Sequence, residues 1–274
     1  MTETPQKTTS PVNVTGIDAY SPYQIAERVE AAGVAKAGLP LDKLATLGFL
    51  AGVFISIGAA LYVMVMTGND LGFGPGRLLG GVAFSIGLVL VVIAGAELFT
   101  GNTLIVMAWA DGKVGLGALL RNWIVSFFAN TAGALAFAVL IWMSGILAFG
   151  GQTETIVKIA EAKLALPFDV ALVRGILCNM LVCLAVWLSF AAHDVVGKVV
   201  VIIFPIAAFV ALGFEHSIAN LYLIPLGVMA GAEGNLTGLV MNLIPVTLGN
   251  IIGGAGGVAM IYWVIYRRRA GDPK

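Results

Sequence analysis

The sequence has very little charge for its length. Of its 274 residues only 11% are Asp, Glu, Lys or Arg, whereas 59% are hydrophobic and the mean hydropathy is +0.97. A soluble domain carries about 25% charged residues, so this scarcity excludes a soluble enzyme and a disordered chain. Fifteen basic and fifteen acidic residues give a net charge of zero, which leaves no basic excess to bind nucleic acid. The composition therefore predicts a polytopic membrane protein.

Cysteines and enzyme motifs are equally scarce. Cys178 and Cys183 lie in one apolar run, and we interpret them as small buried hydrophobes that form no disulfide or metal site. The sequence contains no P-loop, no HExxH motif and no CxxC motif. We therefore expect no catalytic residues, no metal and no cofactor, and we do not expect an enzyme.

The apolar residues fall into six long runs, each long enough for the ~20 residues of a membrane span. These runs lie at about 43–66, 77–108, 118–148, 168–191, 197–229 and 236–266. The second and fifth runs contain polar, glycine-marked breaks at 94–102 and 212–220. The pattern predicts an all-α membrane protein with six transmembrane helices, of which the second and fifth are broken.

Polar segments divide the chain further. Ser21 and Pro22 begin a charged stretch with helical periodicity, which favours an amphipathic helix on the membrane face. The expected organisation is a disordered tail at 1–20, this cytoplasmic helix at 21–40, a three-helix unit at 41–148, an external loop at 149–168, a second three-helix unit at 169–266 and a basic cytoplasmic tail at 267–274. With six spans, eleven of the fifteen Lys and Arg residues lie on the side of the termini. The positive-inside rule then places both termini in the cytoplasm, and we expect a multi-pass protein of a bacterial-type inner membrane.

Two motifs recur about 120 residues apart. Gly95-x-Glu97-x4-Asn102 matches Gly213-x-Glu215-x4-Asn220, and Asn122-x7-Asn130-x2-Gly133 matches Asn242-x7-Asn250-x2-Gly253. Each copy would hold three spans, an odd number, so the second would insert with opposite topology. The sequence therefore predicts an inverted three-plus-three repeat of the kind found in many transporters.

Three ionisable residues lie deep within the apolar runs: Glu97, Glu215 and His216. Because a charge in hydrocarbon costs at least about 2.5 kcal/mol, such residues pair or serve a pathway. The repeat-matched glutamates favour a structural role, as acceptors for backbone N–H groups that each break frees. His216 corresponds to apolar Leu98, and this asymmetry favours a function in proton or hydrogen-bond donation over a purely structural role.

Other residues surround these positions. Thr100 offers a hydroxyl in the opposite break, where it supports a solute or bonds back to a carbonyl. Large apolar side chains near the breaks would either narrow a pore or serve ordinary packing. They are Phe84, Leu88, Leu98, Phe99 and Phe209.

Four segments resemble motifs of the formate/nitrite transporter family: AGAELFTGN at 94–102, LVCLAVW at 181–187, GFEHSIAN at 213–220 and NLIPVTLGNIIGGA at 242–255. The resemblance extends from about Ser21 to Arg269. It implies a homopentamer of aquaporin-like, six-helix protomers in the lipid bilayer, each with its own pore for formate, nitrite or hydrosulfide.

The resemblance also implies roles for individual residues. His216 would be the central pore histidine, Thr100 the polar residue opposite it, and Glu215 would tune the histidine. Leu98 and Phe209 would form a cytoplasmic constriction, Phe84 would belong to a periplasmic one, and Leu88 would line the pore. Asn179 would line the outer path, and Lys36 would attract anions at the cytoplasmic entrance. Supporting positions are Glu97, Asn102, Asn220 and Asn250.

Several segments, among them EAAGVAK near the start and YWVIYRR near the end, look most like formate channels. We therefore expect transport of formate down its electrochemical gradient, with proton coupling through His216 left open. Nitrite or hydrosulfide conduction is the alternative within the family. A membrane subunit of a formate dehydrogenase complex is a remote alternative from another class.

Overall fold

The computed structural model describes residues 19–268, so most of the two predicted tails lies outside the described residues. This part of the chain is helical and contains no strand. The helices are α1 (Pro22–Ala37), α2 (Leu41–Met66), α3 (Phe73–Gly95), α4 (Phe99–Ala110), α5 (Leu116–Met143), α6 (Gln152–Leu164), α7 (Phe168–Ser189), α8 (Val195–Leu212), α9 (Ser217–Met229) and α10 (Leu236–Tyr266). Six of them, α2, α3, α5, α7, α8 and α10, are long and apolar enough to cross a membrane.

The predicted breaks are confirmed. The second apolar run divides into α3 and α4, and the fifth divides into α8 and α9. Gly95 and Gly213 end the first halves with φ of +85° and +75°, a left-handed conformation that glycine adopts without steric cost. Extended backbone then leads through Leu98 and His216 into the second halves. Each break thus brings a helix end and a helix start into the protein interior.

Helix α1 begins as the sequence predicts. Ser21 accepts a hydrogen bond from the backbone N–H of Gln24, the Gln24 side chain accepts one from the Ser21 backbone, and Pro22 occupies the first helical position. This capping box satisfies backbone donors that a helix start leaves free. The buried face of α1 carries Ile25 and Val29, so the amphipathic helix lies against the protein.

A charged cluster ties α1 to the end of α10. Glu30 lies 2.9 Å from the Lys113 ammonium and 2.8 Å from the Arg267 guanidinium, while Lys113 also pairs with Asp111 at 3.0 Å. A hydrogen bond from Glu30, together with those from Lys113 and Trp263, lowers the pKa of Asp111 to about 2. Burial and the neighbouring Asp111 raise the pKa of Glu30. The pKa values of these two neighbouring carboxyl groups are therefore shifted in opposite directions.

Glycines let the spanning helices approach closely. A Cβ on Gly52 or Gly133 would overlap backbone atoms across the α2–α5 contact. A Cβ on Gly175 or Gly253 would likewise overlap backbone atoms across the α7–α10 contact. Small residues at such crossings allow van der Waals packing between backbones, which is a main source of helix association in lipid.

The segment at 149–168, expected to be a loop, contains a 13-residue helix, α6. Its buried residues Ile156 and Ala160 are four apart and pack on Gly227 of α9. The segment is charged like a solvated loop, but this short apolar stripe packs it as a helix on α9. Cys178 and Cys183 are buried, as expected of small hydrophobes, and both are free thiols.

Candidate solute pathway

The two breaks meet through one polar contact. The Thr100 hydroxyl, in the first turn of α4, lies 2.9 Å from Nε2 of His216, and both side chains are buried. His216 also caps α9, because its Nδ1 accepts the Ala219 N–H at 3.1 Å. An imidazole that accepts at Nδ1 and is neutral carries its proton on Nε2. His216 therefore donates from Nε2 to the Thr100 oxygen.

A cavity lies on each side of this contact. We call the first the Arg174 cavity: its volume is about 190 Å³ and its walls include Arg77, Lys163, Arg174, Glu215 and His216. The second is the Lys36 cavity: its volume is about 390 Å³ and its walls include Lys36, Glu97, Leu98, Gly101 and Lys198. The Thr100–His216 pair lies between them, since His216 lines the Arg174 cavity and the fully buried Thr100 lines neither.

The apolar closures differ from the arrangement that the resemblance implies. Phe209 faces the Arg174 cavity together with Phe84, and the two rings meet edge to face at 5.5 Å. Leu98 faces the Lys36 cavity together with Leu88. The expectation that Leu98 and Phe209 form one constriction is wrong. The physical reason is that α3 packs along α8, which brings Phe84 opposite Phe209, while Leu98 belongs to the other break.

Three predicted pore residues, Thr100, Phe99 and Asn179, line neither cavity; Thr100 lies between the two cavities, in contact with His216. The Phe99 ring packs edge-on against Phe127 at 5.2 Å and Trp123 at 6.4 Å, so it anchors the break on α5. Asn179 is fully buried, and its amide donates to the backbone carbonyls of Thr100 at 3.1 Å and Asn250 at 2.6 Å. The Phe99 and Asn179 side chains therefore hold the breaks in place and do not contact the path.

The two buried glutamates are ion-paired with lysines. Lys36 Nζ lies 2.6 Å from one Glu97 oxygen, and the Asn102 amide donates to the other at 2.8 Å. Lys163 Nζ donates to both oxygens of Glu215 at 2.9 Å. The Asn220 amide donates to Glu215 at 2.7 Å. These glutamates accept from side chains, not from the freed backbone N–H groups that the sequence suggested as their donors.

Two asparagines satisfy the freed backbone instead. Asn130 accepts the Phe99 N–H at 2.9 Å and donates to the carbonyls of Gly48 at 2.7 Å and Glu97 at 2.9 Å. Asn250 makes the equivalent set. It accepts the Ser217 N–H at 2.9 Å and donates to the carbonyls of Gly175 at 2.8 Å and Glu215 at 3.0 Å. The repeat pattern found these asparagines, but their role emerges only from the fold.

Lys163, like Arg77 and Arg174 in the same cavity, is a functional candidate that the sequence did not reveal. Its counterpart Lys36 was expected to be an entrance cation; it lines its cavity but is also bound to Glu97. One feature of the sequence points to the equivalence of the two lysines: the dipeptide Ala-Lys at 35–36 recurs at 162–163. The two networks make parallel contacts, each with a lysine and an asparagine on the glutamate.

Both cavities carry an excess of positive charge. Three cations face one carboxylate in the Arg174 cavity, and two cations face one carboxylate in the Lys36 cavity. Such walls raise the local concentration of anions. Six membrane-capable helices, two interior breaks and two cationic cavities define a multi-pass membrane channel or transporter for a small solute.

The particular family follows from comparison with known proteins. The family model described as "Formate/nitrite transporter" matches residues 23–264. The chain belongs to the formate/nitrite transporter family.

Individual relatives agree. The chain is 41% identical to the formate channel FocA of Escherichia coli K12, covering 92% of this chain and 96% of that protein. It is also 41% identical to the formate channel BtFdhC of Bacillus thuringiensis, covering 93% of this chain and 99% of that protein. A solved structure described as a pentameric formate channel with formate bound is similar with a TM-score of 0.76 and 41% identity, over 83% of this chain and 98% of that one.

Proposed function

We propose that this protein is a formate channel, a homopentamer in which each protomer conducts formate past the Thr100–His216 contact. We assign formate as the substrate because the chain is similar, over more than nine-tenths of its length, to channels named for formate. We place the site at Thr100 and His216 because their 2.9 Å contact joins the two breaks. The protein acts by conduction and carries out no catalysis.

The membrane is the bacterial inner membrane, with both termini in the cytoplasm. The distribution of cations supports this orientation. The residues expected on the external side include Arg77, Lys163 and Arg174, which together line the Arg174 cavity. Lys36 and Lys198, expected on the cytoplasmic side, together line the Lys36 cavity. The Arg174 cavity then faces the periplasm.

The physical problem of the pore is to carry an anion through an apolar passage. Burial of an unpaired charge is costly, and the passage is bordered by Phe84 and Phe209 on one side and by Leu88 and Leu98 on the other. His216 offsets this cost by presenting its Nε2–H, which formate accepts in place of the Thr100 oxygen. Since Nδ1 already accepts the Ala219 N–H, protonation there would break the cap of α9. His216 therefore supplies a hydrogen bond to formate and retains its proton.

The test is radiolabelled formate uptake into liposomes containing wild-type protein or His216→Asn. Asparagine can still accept at the start of α9 but has no imidazole. We expect uptake to fall about tenfold or more, the scale of a hydrogen bond to a charged group. His216→Phe, which also removes the cap, should lower it at least as far. Unchanged uptake and unchanged pH dependence in His216→Asn would contradict the role of the histidine.

Thr100 provides a matched pair of variants. Thr100→Ser retains the hydroxyl, whereas Thr100→Val keeps the shape and removes the oxygen beside Nε2. We expect uptake close to wild type for the serine variant and a clear loss for the valine variant. A side-by-side assay of formate, nitrite and hydrosulfide tests the substrate, and wild-type protein that moves formate more slowly than either other anion would refute the proposal.

A further inference from the structure

Arg174 is an arginine where the matching position of the other break is a leucine. The Glu215 N–H donates to the Arg174 carbonyl at 3.2 Å, and the Glu97 N–H donates to the Leu47 carbonyl at 3.2 Å. These identical backbone contacts make Arg174 and Leu47 equivalent positions. Each side chain lines the cavity on its own side. The position thus places a cation in one cavity and an apolar side chain in the other.

The other cations of the Arg174 cavity have structural partners. Lys163 binds both oxygens of Glu215. Arg77 donates from Nε to the Ala211 carbonyl at 2.6 Å and from a terminal nitrogen to the Val210 carbonyl at 3.2 Å, so it caps the end of α8. Within residues 19–268, the Arg174 guanidinium makes no hydrogen bond and no ion pair. Its donors therefore remain for a solute.

The two cavities match in their remaining cations. Lys36 and Lys163 each pair with the glutamate of a break. Arg77 and Lys198 lie near the starts of α3 and α8, one in each cavity. When Lys36 is matched with Lys163 and Lys198 with Arg77, Arg174 is the additional cation that distinguishes the Arg174 cavity from the Lys36 cavity.

We propose that Arg174, assisted by Arg77, forms a binding site for a small monovalent oxyanion in the Arg174 cavity, and that this site makes the channel asymmetric. A guanidinium presents two parallel N–H donors that match the two oxygens of a carboxylate, and it loses hydration more readily than an ammonium group. The anion that reaches the pore from this cavity is therefore held next to His216, whereas one from the Lys36 cavity is not. That the anion is formate rests on the proposed function.

The experiment measures formate uptake in right-side-out and everted membrane vesicles that contain wild-type protein, Arg174→Leu or Arg174→Lys. Leucine is the residue at the equivalent position. We expect Arg174→Leu to raise the half-saturating formate concentration about fivefold when formate enters from the Arg174 cavity, the size of one solvated charge–charge contact near 4 Å. Entry from the opposite face and the maximum rate should change less than about twofold, and high salt should narrow the difference. Arg174→Lys should recover part of the loss.

Lys158→Gln is the control, because it removes a cation from the exposed surface of α6 outside the Arg174 cavity. It should leave half-saturation unchanged on both faces. Arg174→Gln replaces the leucine variant if size-exclusion chromatography shows that the latter fails to assemble. An equal change on both faces, no change on either, or the same change in Lys158→Gln would overturn the site. Wild-type vesicles that take up no formate would instead refute the proposed function.

Discussion

Asn130, on α5, joins the break between α3 and α4 to the backbone of α2. Its amide makes three buried hydrogen bonds to backbone groups, and Asn130→Ala removes all three at once. Hydrogen bonds between membrane helices average about 0.6 kcal/mol with a maximum near 1.7, which gives about 2–5 kcal/mol for three. Unsatisfied buried groups in water-soluble proteins cost about 1–3 kcal/mol each. The two scales overlap at about 3–5 kcal/mol, and we predict a loss of that size.

Unfolding by SDS titration in mixed micelles measures this loss. Asn235→Ala is the matched control, because Asn235 makes one exposed cap bond, to the Gly238 N–H at 2.9 Å, and such caps contribute about 1 kcal/mol. Asn250→Ala should resemble Asn130→Ala, since the two amides make equivalent bonds. An Asn130→Ala protein no less stable than Asn235→Ala would refute the assignment of the break to this side chain.

Three further predictions concern charge, packing and pH. Lys163→Met leaves the buried Glu215 carboxylate without its cation and should cost about 3–5 kcal/mol in the same titration, while adding Glu215→Gln should recover a large part; no recovery would contradict the pairing. Gly52→Ala places a Cβ on a backbone carbonyl oxygen and should abolish assembly in size-exclusion chromatography, whereas Gly101→Ala, whose Cβ finds its nearest side-chain atom at 3.8 Å, should assemble normally. The lowered pKa of Asp111, about 2 against an ordinary 3.8, stabilises the fold above about pH 4 and loses this effect as the pH falls toward 2. Asp111→Asn should therefore remove that part of the acid dependence of the thermal midpoint, and an unchanged dependence would contradict it.

The spans and their breaks were predictable because membrane burial imposes them directly. Twenty apolar residues have no other stable environment, and Gly95 and Gly213 mark the only left-handed turns within the broken runs. The polar residues at depth, Glu97, Glu215 and His216, were identifiable for the same reason, since each carries a cost that requires a partner. Composition and spacing therefore located the site, although they did not give its contacts.

The partners depended on tertiary packing and were not predictable from spacing. Lys163 lies on a short helix whose charges resemble those of a solvated loop, and only its packing on α9 brings it to Glu215. Phe209 contacts Phe84 and lines a different cavity from Leu98 because α3 runs along α8, and spacing does not reveal this packing. Asn130 satisfies the backbone N–H of Phe99 from another helix. A local sequence pattern cannot indicate such a contact.

The order of the ion pairs along the chain has a consequence for biosynthesis. Lys36 precedes Glu97 by 61 residues, and Lys163 precedes Glu215 by 52. As the ribosome releases the chain from its N-terminus, each glutamate follows a lysine that has already been synthesised. Neither carboxylate therefore has to wait in the bilayer for a counter-ion that is still to be translated. Each lysine resides on a helix too short or too polar to span, so it can remain at the membrane surface until its glutamate inserts.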